Sequence, residues 1–296
     1  MSIITLTTDF GIKDFHVSKI KGLLNIELDN PKIIDISHEI SPFNIIEGAY
    51  VIKNAYQNFP RGSIHIINID AEKNPDQSHL VVHMDEHFFI CADNGITSLI
   101  SNNIKPNDVY EINISDSFNL STIDTFVKVA SHIYRGGHLN LIGKPIEKIK
   151  ELIDLKIIEK SKNELLCSVI YIDNYGNVIT NVTKDFFDKF SSSRNFTINA
   201  RNVKFNKIFN SYSRWIRVFS FYFINKIFKF FNSYSEAIDF SKEKKYREED
   251  GKKIALFNSS GHLELSIYKS NPVTSGGANS LFGLSYGDNI SIVFDN

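Results

Sequence analysis

The chain is short of cysteine, of net charge and of any uninterrupted apolar run, and each shortage removes a class of explanation. Two cysteines in 296 residues, Cys91 and Cys167, cannot build a disulfide framework, which fits a reducing compartment. A formal net charge of -1 at pH 7 gives no broad electrostatic case for nucleic acid or for an anionic membrane surface. The first residues enter a strand-like run at once, without the basic start and apolar core of a signal peptide, so a cytoplasmic protein is expected. The most apolar stretch, 215–231 (WIRVFSFYFINKIFKFF), is interrupted by Arg217, Asn225, Lys226 and Lys229. It falls short of the roughly 20 apolar residues needed to span a bilayer. Its polar residues do not all share one helical face, so it reads as a packing or subunit-contact element rather than a membrane anchor. What remains is ordinary globular composition at a length that suits one large domain or two of usual size.

The stretch that organises the rest is 3–8 (IITLTT), a β-branched run that breaks at Asp9-Phe10-Gly11 and leads through Asp14 into a helix-compatible segment from His16. A strand that ends in a carboxylate just before a helix places Asp9 and Asp14 at the carboxyl edge of a sheet, where open α/β sheets bind small ligands. Capping of local backbone is the plainer role for either aspartate. A second strand is expected at 32–36 and a helix at 45–59, with Ile45, Ala49, Ile52 and Tyr56 on one face. Pro60-Arg61-Gly62 then turns the chain into 64–69 (IHIINI), which delivers Asp70 at its end. Two strands flank an Asp85-Glu86 turn, and 124–134 reads as a helix closed by Arg135-Gly136-Gly137. Alternating strands and helices predict a three-layer α/β domain with a central sheet over residues 1–155.

Lys and Glu dominate 146–163, and beyond them come short strand-like runs separated by turn signals such as Asn258-Ser259-Ser260-Gly261. Residues 162–296 therefore read as a smaller, mostly-β, barrel-like domain with an inserted aromatic segment around 214–250. Within it Asn206–Ser213 (NKIFNSYS) is echoed by NKIF at 225–228 and NSYS at 232–235, a local duplication rather than a solenoid. The mixed-sign run 242–250 (KEKKYREED) reads as a solvated loop.

One formal motif misleads. His83-Met84-Asp85-Glu86-His87 fits the H-x-x-E-H pattern of zinc peptidases, and His79 adds another imidazole. That chemistry needs a helix, whereas Leu-Val-Val before and Phe-Phe-Ile after are strand residues. In a strand, His79 and His83 would lie roughly 13 Å apart, too far to share an ion, so no metal site is expected. The chain also has no G-x-S-x-G elbow, no phosphate-cradling P-loop and no G-x-G-x-x-G fingerprint. Asp70 at a strand end, and Asp173-Asn174-Tyr175-Gly176-Asn177, are compatible with simple turns.

Seven pieces, in order along almost the whole chain, resemble the S-adenosylmethionine hydroxide adenosyltransferases, relatives of the adenosyl fluorinases and chlorinases. They are TLTTDFGIKDFHVSKIKG, IIDISHEISPFNIIEGA, FPRGSIHIINID, FFICADNGI, VKVASHIYRGG, YIDNYGNVITNV and IALFNSSGHLELSI. The resemblance implies an N-terminal α/β domain, a C-terminal β domain and a homotrimer with active sites between one subunit's first domain and a neighbour's second. It implies that Asp9 holds the ribose hydroxyls, that Asp14 lies beside the methionine end, and that Phe43 packs against the nucleoside. Asp173 and Asn177 match the pair that grips the methionine amine and the adenine edge. Ser259 and Ser260 match the methionine carboxylate site, where halogenases often have arginine at the second position. Tyr234, or Tyr212 because of the duplication, matches the aromatic that stacks on adenine. A cationic sulfonium and ammonium favour carboxylates and a purine favours a flat aromatic wall, so the pattern is physically coherent.

The reaction implied is in-line displacement at the ribose C5′ with methionine leaving from sulfur, and no cofactor. Asp70 occupies the position that contacts the attacking water, and a carboxylate there would repel halide, which favours S-adenosylmethionine hydrolysis over fluorination or chlorination. The family pairs that aspartate with an arginine and a histidine, whose positions here fall at Gln77 or Ser78 and at Ser121. Asp70 is accordingly expected to be held less firmly, with His79 or His16 as the imidazoles that could stand in. Three functions compete on this reading: a S-adenosylmethionine hydrolase, a non-catalytic adenosyl-binding trimer, and a metal hydrolase using His83 and His87. The first two take a small molecule as partner, with neither nucleic acid nor membrane.

Overall fold

A computed structural model describes residues 2–101, 104–114, 120–152, 155–209 and 251–295. The aromatic stretch 215–231, the insertion 214–250, the charged run 242–250 and both candidate stacking residues, Tyr212 and Tyr234, lie outside the described residues. The chain divides into two compact units, 1–154 and 155–296.

The first unit is built on β1 (Ile3–Thr8), whose six residues are all buried. Its alternation is that of a strand covered on both faces: Ile4 and Leu6 enter one core, while Thr5 and Thr7 face the other way. β1 pairs in parallel with β2 (Lys32–Ser37) on one side and β3 (Ile64–Asn68) on the other. β5 (His87–Ala92) continues the parallel set beside β3. β4 (His79–Met84), β6 (Asp108–Ile112) and β7 (Gly143–Pro145) complete a seven-stranded sheet through antiparallel pairings, in the order β2-β1-β3-β5-β4-β6-β7. The β4–β5 connection is Asp85-Glu86, both at positive φ (52° and 62°), which is the mirror-image turn that matches strand twist in a tight hairpin.

Two helix layers cover the sheet, as the alternating pattern predicts. Helix α1 (His16–Glu27) and the later helix over Thr122–Tyr134 bury Ile20, Leu24, Phe126 and Val127 against Ile4, Leu6, Ile64 and Ile66. On the other face α2 (Ile45–Ala55) and α3 (Ile96–Ser101) bury Ala49, Ile52, Ile96 and Ile100 against Ile67, Ile69, Val82 and Phe89. The Thr122–Tyr134 helix, α4, opens on Ser121, whose Oγ accepts the Asp124 N–H at 3.2 Å.

The second unit is antiparallel. Strands β8 (Ile158–Ser161), β9 (Glu164–Ile172), β10 (Val178–Thr183), β11 (Phe196–Ala200), β12 (Val203–Phe205), β13 (Lys253–Phe257), β14 (His262–Ile267) and β15 (Asn289–Phe294) form an eight-stranded, nearly closed barrel-like sheet. It also carries a helix that a purely strand-like reading does not anticipate. Thr183 caps α5 (Lys184–Ser191) by accepting the Phe186 N–H at 3.3 Å, and Phe187 is the anchor that packs into the core. A short α6 (Ala278–Phe282) follows.

Cys91 and Cys167 are buried and unpaired, and burial pushes both thiols up to about 12, so neither is a nucleophile. Among the described residues no helix is long and apolar enough to cross a membrane.

His65 on β3 is 1% exposed and sits between Thr5 Oγ1 (2.7 Å from Nδ1) and His87 Nδ1 (3.1 Å from Nε2). Burial, with the neighbouring His87 adding to it, lowers its pKa to about 3 from 6.5. Because the folded value is depressed, the unfolded chain binds the extra proton, and stability is lost as pH falls below about 6.5. The stability difference between wild type and His65→Phe should therefore shrink by about 1.4 kcal/mol between pH 7.5 and 5.5 in urea titrations. A difference that stays flat over that window would show that His65 is not held neutral.

Candidate functional site

Because β1, β2, β3 and β5 run parallel, their carboxyl ends emerge on one edge of the first sheet. Asp9 follows β1, His38 follows β2, Asp70 lies two residues past β3, and Asn94 lies two past β5. The structure ties these ends together through Asp9. Its Oδ2 accepts the Phe43 N–H at 2.9 Å and, more weakly, the Asp70 N–H at 3.4 Å. Both residues are non-glycine positions in the left-handed region, with φ of 64° and 43°. Such conformations cost roughly 1–3 kcal/mol each and persist only where surrounding contacts fix them. Asp9 Oδ1 carries no hydrogen bond among the described residues.

Support comes from beneath. Thr8 Oγ1 lies 2.9 Å from His38 Nδ1, His38 Nε2 lies 3.2 Å from Asp35 Oδ1, and the His38 carbonyl accepts the Gly11 N–H at 2.7 Å. The Asp9-Phe10-Gly11 break is thus pinned to the end of β2. Phe43 precedes an N-cap built like a capping box: Asn44 accepts the Glu47 N–H at 3.1 Å, and Glu47 reaches back to the Ser41 N–H at 3.3 Å. Phe43 itself is 72% exposed, with its backbone N–H held by Asp9. Asp14 is exposed in the turn before α1, whose N-cap position is Phe15 and has no side-chain cap, so Asp14 does not cap that helix.

Asp70 has no charged partner at the positions where one was expected. Gln77 Nε2 instead donates to the Asp70 carbonyl at 2.8 Å and the Glu72 carbonyl at 3.1 Å. Asn94 Nδ2 donates to the same Asp70 carbonyl at 3.2 Å and to that of Ile69 at 3.0 Å. Ser121 is occupied as the α4 cap and bonds the Asp124 carboxylate. Neither imidazole substitutes. His79 Nε2 turns to the Ala71 carbonyl at 2.8 Å, and His16 packs against the Phe10 and Phe15 rings.

The histidines of the zinc-like motif lie on a hairpin rather than a helix. His83 stacks on Phe88 with ring centroids 4.7 Å apart, while His87 turns to His65. Among the described residues no group of three His, Cys, Asp or Glu is placed to hold a metal ion.

In the second unit, Asp173, Asn177 and Ser259 share an open cleft of about 680 Å³. The turn that presents them closes on itself. Asp173 Oδ1 accepts from the Tyr175 and Asn177 N–H groups at 2.9 and 2.8 Å, and its Oδ2 accepts from Asn177 Nδ2 at 2.8 Å. Gly176 (φ 74°) lets the turn touch the start of α6: a Cβ there would sit 2.8 Å from Gly277 Cα. Ser260 is turned into its own loop, its hydroxyl donating to Asn258 Oδ1 at 2.7 Å. Two further cleft residues were passed over in the sequence, exposed Tyr175 and buried Glu264. Tyr175 sits inside the DNYGN stretch. Glu264 alternates with core residues Leu263 and Leu265, which is the signal that it faces the opposite side of β14.

The S-adenosylmethionine hydroxide adenosyltransferase N-terminal domain matches residues 4–143, and the corresponding C-terminal domain matches 167–291. The chain belongs to this family of enzymes. It is 31% identical to an (R)-S-adenosyl-L-methionine hydrolase from Methanocaldococcus jannaschii, over 99% of this chain and 97% of that one. A fluorinase from Actinopolyspora mzabensis is 21% identical over 62% of this chain and 72% of its own. The fold is shared with the crystal structure of an uncharacterized conserved protein from Thermotoga maritima, with a TM-score of 0.75 at 20% identity, over 98% of this chain and 100% of that one.

Two aspartates of the N-terminal motif should separate in a stability measurement. Asp9→Ala strips the acceptor from two backbone amides and should cost about 1–2 kcal/mol in denaturant unfolding. Asp14→Ala removes an exposed carboxylate and should stay within about 0.5 kcal/mol of wild type. Equal effects would show that Asp9 does not organise this edge.

Proposed function

We propose that this chain hydrolyses S-adenosyl-L-methionine to adenosine and L-methionine. The observation that carries the reading is the convergence of the Phe43 and Asp70 N–H groups on one Asp9 oxygen at the carboxyl edge of the sheet. Family membership and full-length similarity to a hydrolase support it. Water attacks the ribose C5′ opposite sulfur; the C5′–O bond forms as the C5′–S bond breaks, and the electron pair neutralises the sulfonium. Methionine leaves as a neutral thioether, and the proton lost by the water passes to solvent. The leaving group carries its own activation, so the protein's work is alignment and exclusion of competing nucleophiles, and no metal or cofactor is called for.

In this reading Asp9 Oδ1 takes the ribose hydroxyls, Phe43 lies against the nucleoside, and Asp14 faces the cationic methionine end. Asp70 orients the water and disfavours halide by charge. Asn177 reads the adenine edge and Asp173 the methionine amine. Asp173 also fixes the turn, since both of its oxygens are already engaged there. Ser259 and Ser260 take the methionine carboxylate, and Tyr234 or Tyr212 the adenine face. The two sets of residues belong to different units, and a cytoplasmic homotrimer, the assembly implied by the family resemblance, is the proposed form in which they serve one ligand. Light scattering should then give about three chain masses.

A second reading, adenosyl binding without turnover, is favoured by one observation: Gln77 and Ser121 are both engaged in local bonds at the positions of the charged pair. The two readings divide cleanly. Incubation with S-adenosylmethionine in H₂¹⁸O should yield adenosine carrying the label at its 5′ oxygen, and Asp70→Ala should lower kcat by at least about 100-fold. No adenosine above a blank, with adenosine still bound in calorimetry, would establish the second reading instead.

A further inference from the structure

We infer that Gln77 and Asn94 are positioning residues for the hydrolysis, acting as a backbone clamp that sets the Asp70 carboxylate by fixing its peptide. The inference rests on the hydrolase reading for its catalytic consequence, but the clamp itself is read from geometry.

Asp70 is held at a φ of 43°, where a side chain points in a direction that extended or helical backbone would not give it. Something must keep it there. The Asp9 contact to its N–H is long, at 3.4 Å, and Asp9 Oδ2 is shared with the shorter Phe43 bond, so Asp9 alone holds it poorly. The carbonyl side is held far better. It accepts from two primary amides at 2.8 and 3.2 Å, which occupies both of its lone pairs. Each amide also ties in a second carbonyl: Gln77 spans residues 70 and 72, and Asn94 spans 69 and 70. The segment 69–72 is stapled on both sides of Asp70.

Both amides are themselves anchored. Gln77 and Asn74 exchange backbone hydrogen bonds at 3.0 and 3.3 Å across a tight turn. Asn94 is buried, and its Oδ1 accepts the Ile96 N–H at 3.2 Å at the start of α3, which fixes which end of the amide faces Asp70. The residue at the position where the family resemblance expects arginine therefore acts on the peptide rather than on the carboxylate. It leaves both carboxylate oxygens to the water and the developing charge. A neutral clamp also adds no cation beside a cationic substrate, which a guanidinium would.

The test uses substitutions that keep shape and remove the donor. Gln77→Glu and Asn94→Asp, with Gln77→Ala as a control free of added charge, should each lower kcat about 10- to 100-fold, as expected when a reacting group is misplaced. KM should stay within about threefold and the adenosine Kd unchanged, since neither residue meets the nucleoside in this assignment. Asn94→Asp keeps the acceptor for Ile96 but turns a buried carboxylate oxygen onto the Ile69 and Asp70 carbonyls, so its Tm should fall. Gln77→Ala, at a half-buried position, should keep its Tm close to wild type. Crystal structures of Gln77→Ala and Asn94→Asp should show Asp70 leaving the left-handed region. A kcat within twofold of wild type, an Asp70 backbone unchanged in the variants, or, in Gln77→Ala, a parallel loss of kcat, adenosine binding and Tm would each overturn the assignment. If wild type releases no adenosine, the hydrolase reading fails separately, and the clamp is then decided by the Asp70 backbone in the variant crystals.

Discussion

The geometry of the candidate site depends on one carboxylate oxygen. Asp9 Oδ2 gathers the Phe43 amide, from the loop just before α2, and, more weakly, the Asp70 amide, two residues past β3. Both residues sit in a backbone region that side chains avoid. Asp9 can do this because β1 is buried along its whole length at the middle of the parallel set, so its end is a fixed point. The Thr8–His38 side-chain bond and the Gly11 N–H bond to the His38 carbonyl then tie the turn after β1 to the end of β2. Negative charge at this edge has a chemical counterpart in the substrate proposed, a nucleoside whose reacting carbon is bonded to a cationic sulfur.

The second unit solves a different problem. Asp173 spends both oxygens inside its own turn, and the Gly176–Gly277 approach locks that turn to α6. The cleft beside it is lined by this closed turn, by β13 and β14 and by the loops next to them, with Tyr175 exposed and Glu264 buried in its wall. A turn already closed by its own hydrogen bonds has little ordering entropy left to lose on binding, which is compatible with the purine and amino-acid moieties of the substrate proposed.

Much of this was legible in the sequence, for identifiable reasons. β1, the Asp85-Glu86 hairpin and the helix ended by Gly136 follow from period-two alternation, turn chemistry and capping, all local rules. Asp9 and Asp70 stood out because a strand run ends in a carboxylate. The hairpin reading also disposed of the H-x-x-E-H match, since strand residues flank both imidazoles. Other features were not legible. Nothing local marks Phe43 or Asp70 as left-handed: the Phe43 N–H is held by Asp9, far away in the chain, and the Asp70 peptide is held mainly by the Gln77 and Asn94 amides. Gln77 looked like the loss of an arginine, since a clamp made of neutral amides on backbone carbonyls has no residue-type signature. Helix α5 is short and amphipathic, and its buried anchor, Phe187, flanked by half-buried Phe186 and Phe190, is indistinguishable in sequence from a strand residue. Glu264 could have been found from its alternation with Leu263 and Leu265.

The most direct measurement compares binding of adenosine and 2′,3′-dideoxyadenosine to the wild-type protein by calorimetry. If one Asp9 oxygen holds the site together and the other reads the ribose diol, removing both hydroxyls should weaken binding by about 50-fold or more, the range for hydrogen bonds to a charged group. Equal affinity for the two nucleosides would contradict the account, because the carboxylate on which the site is built would then not be facing the ribose.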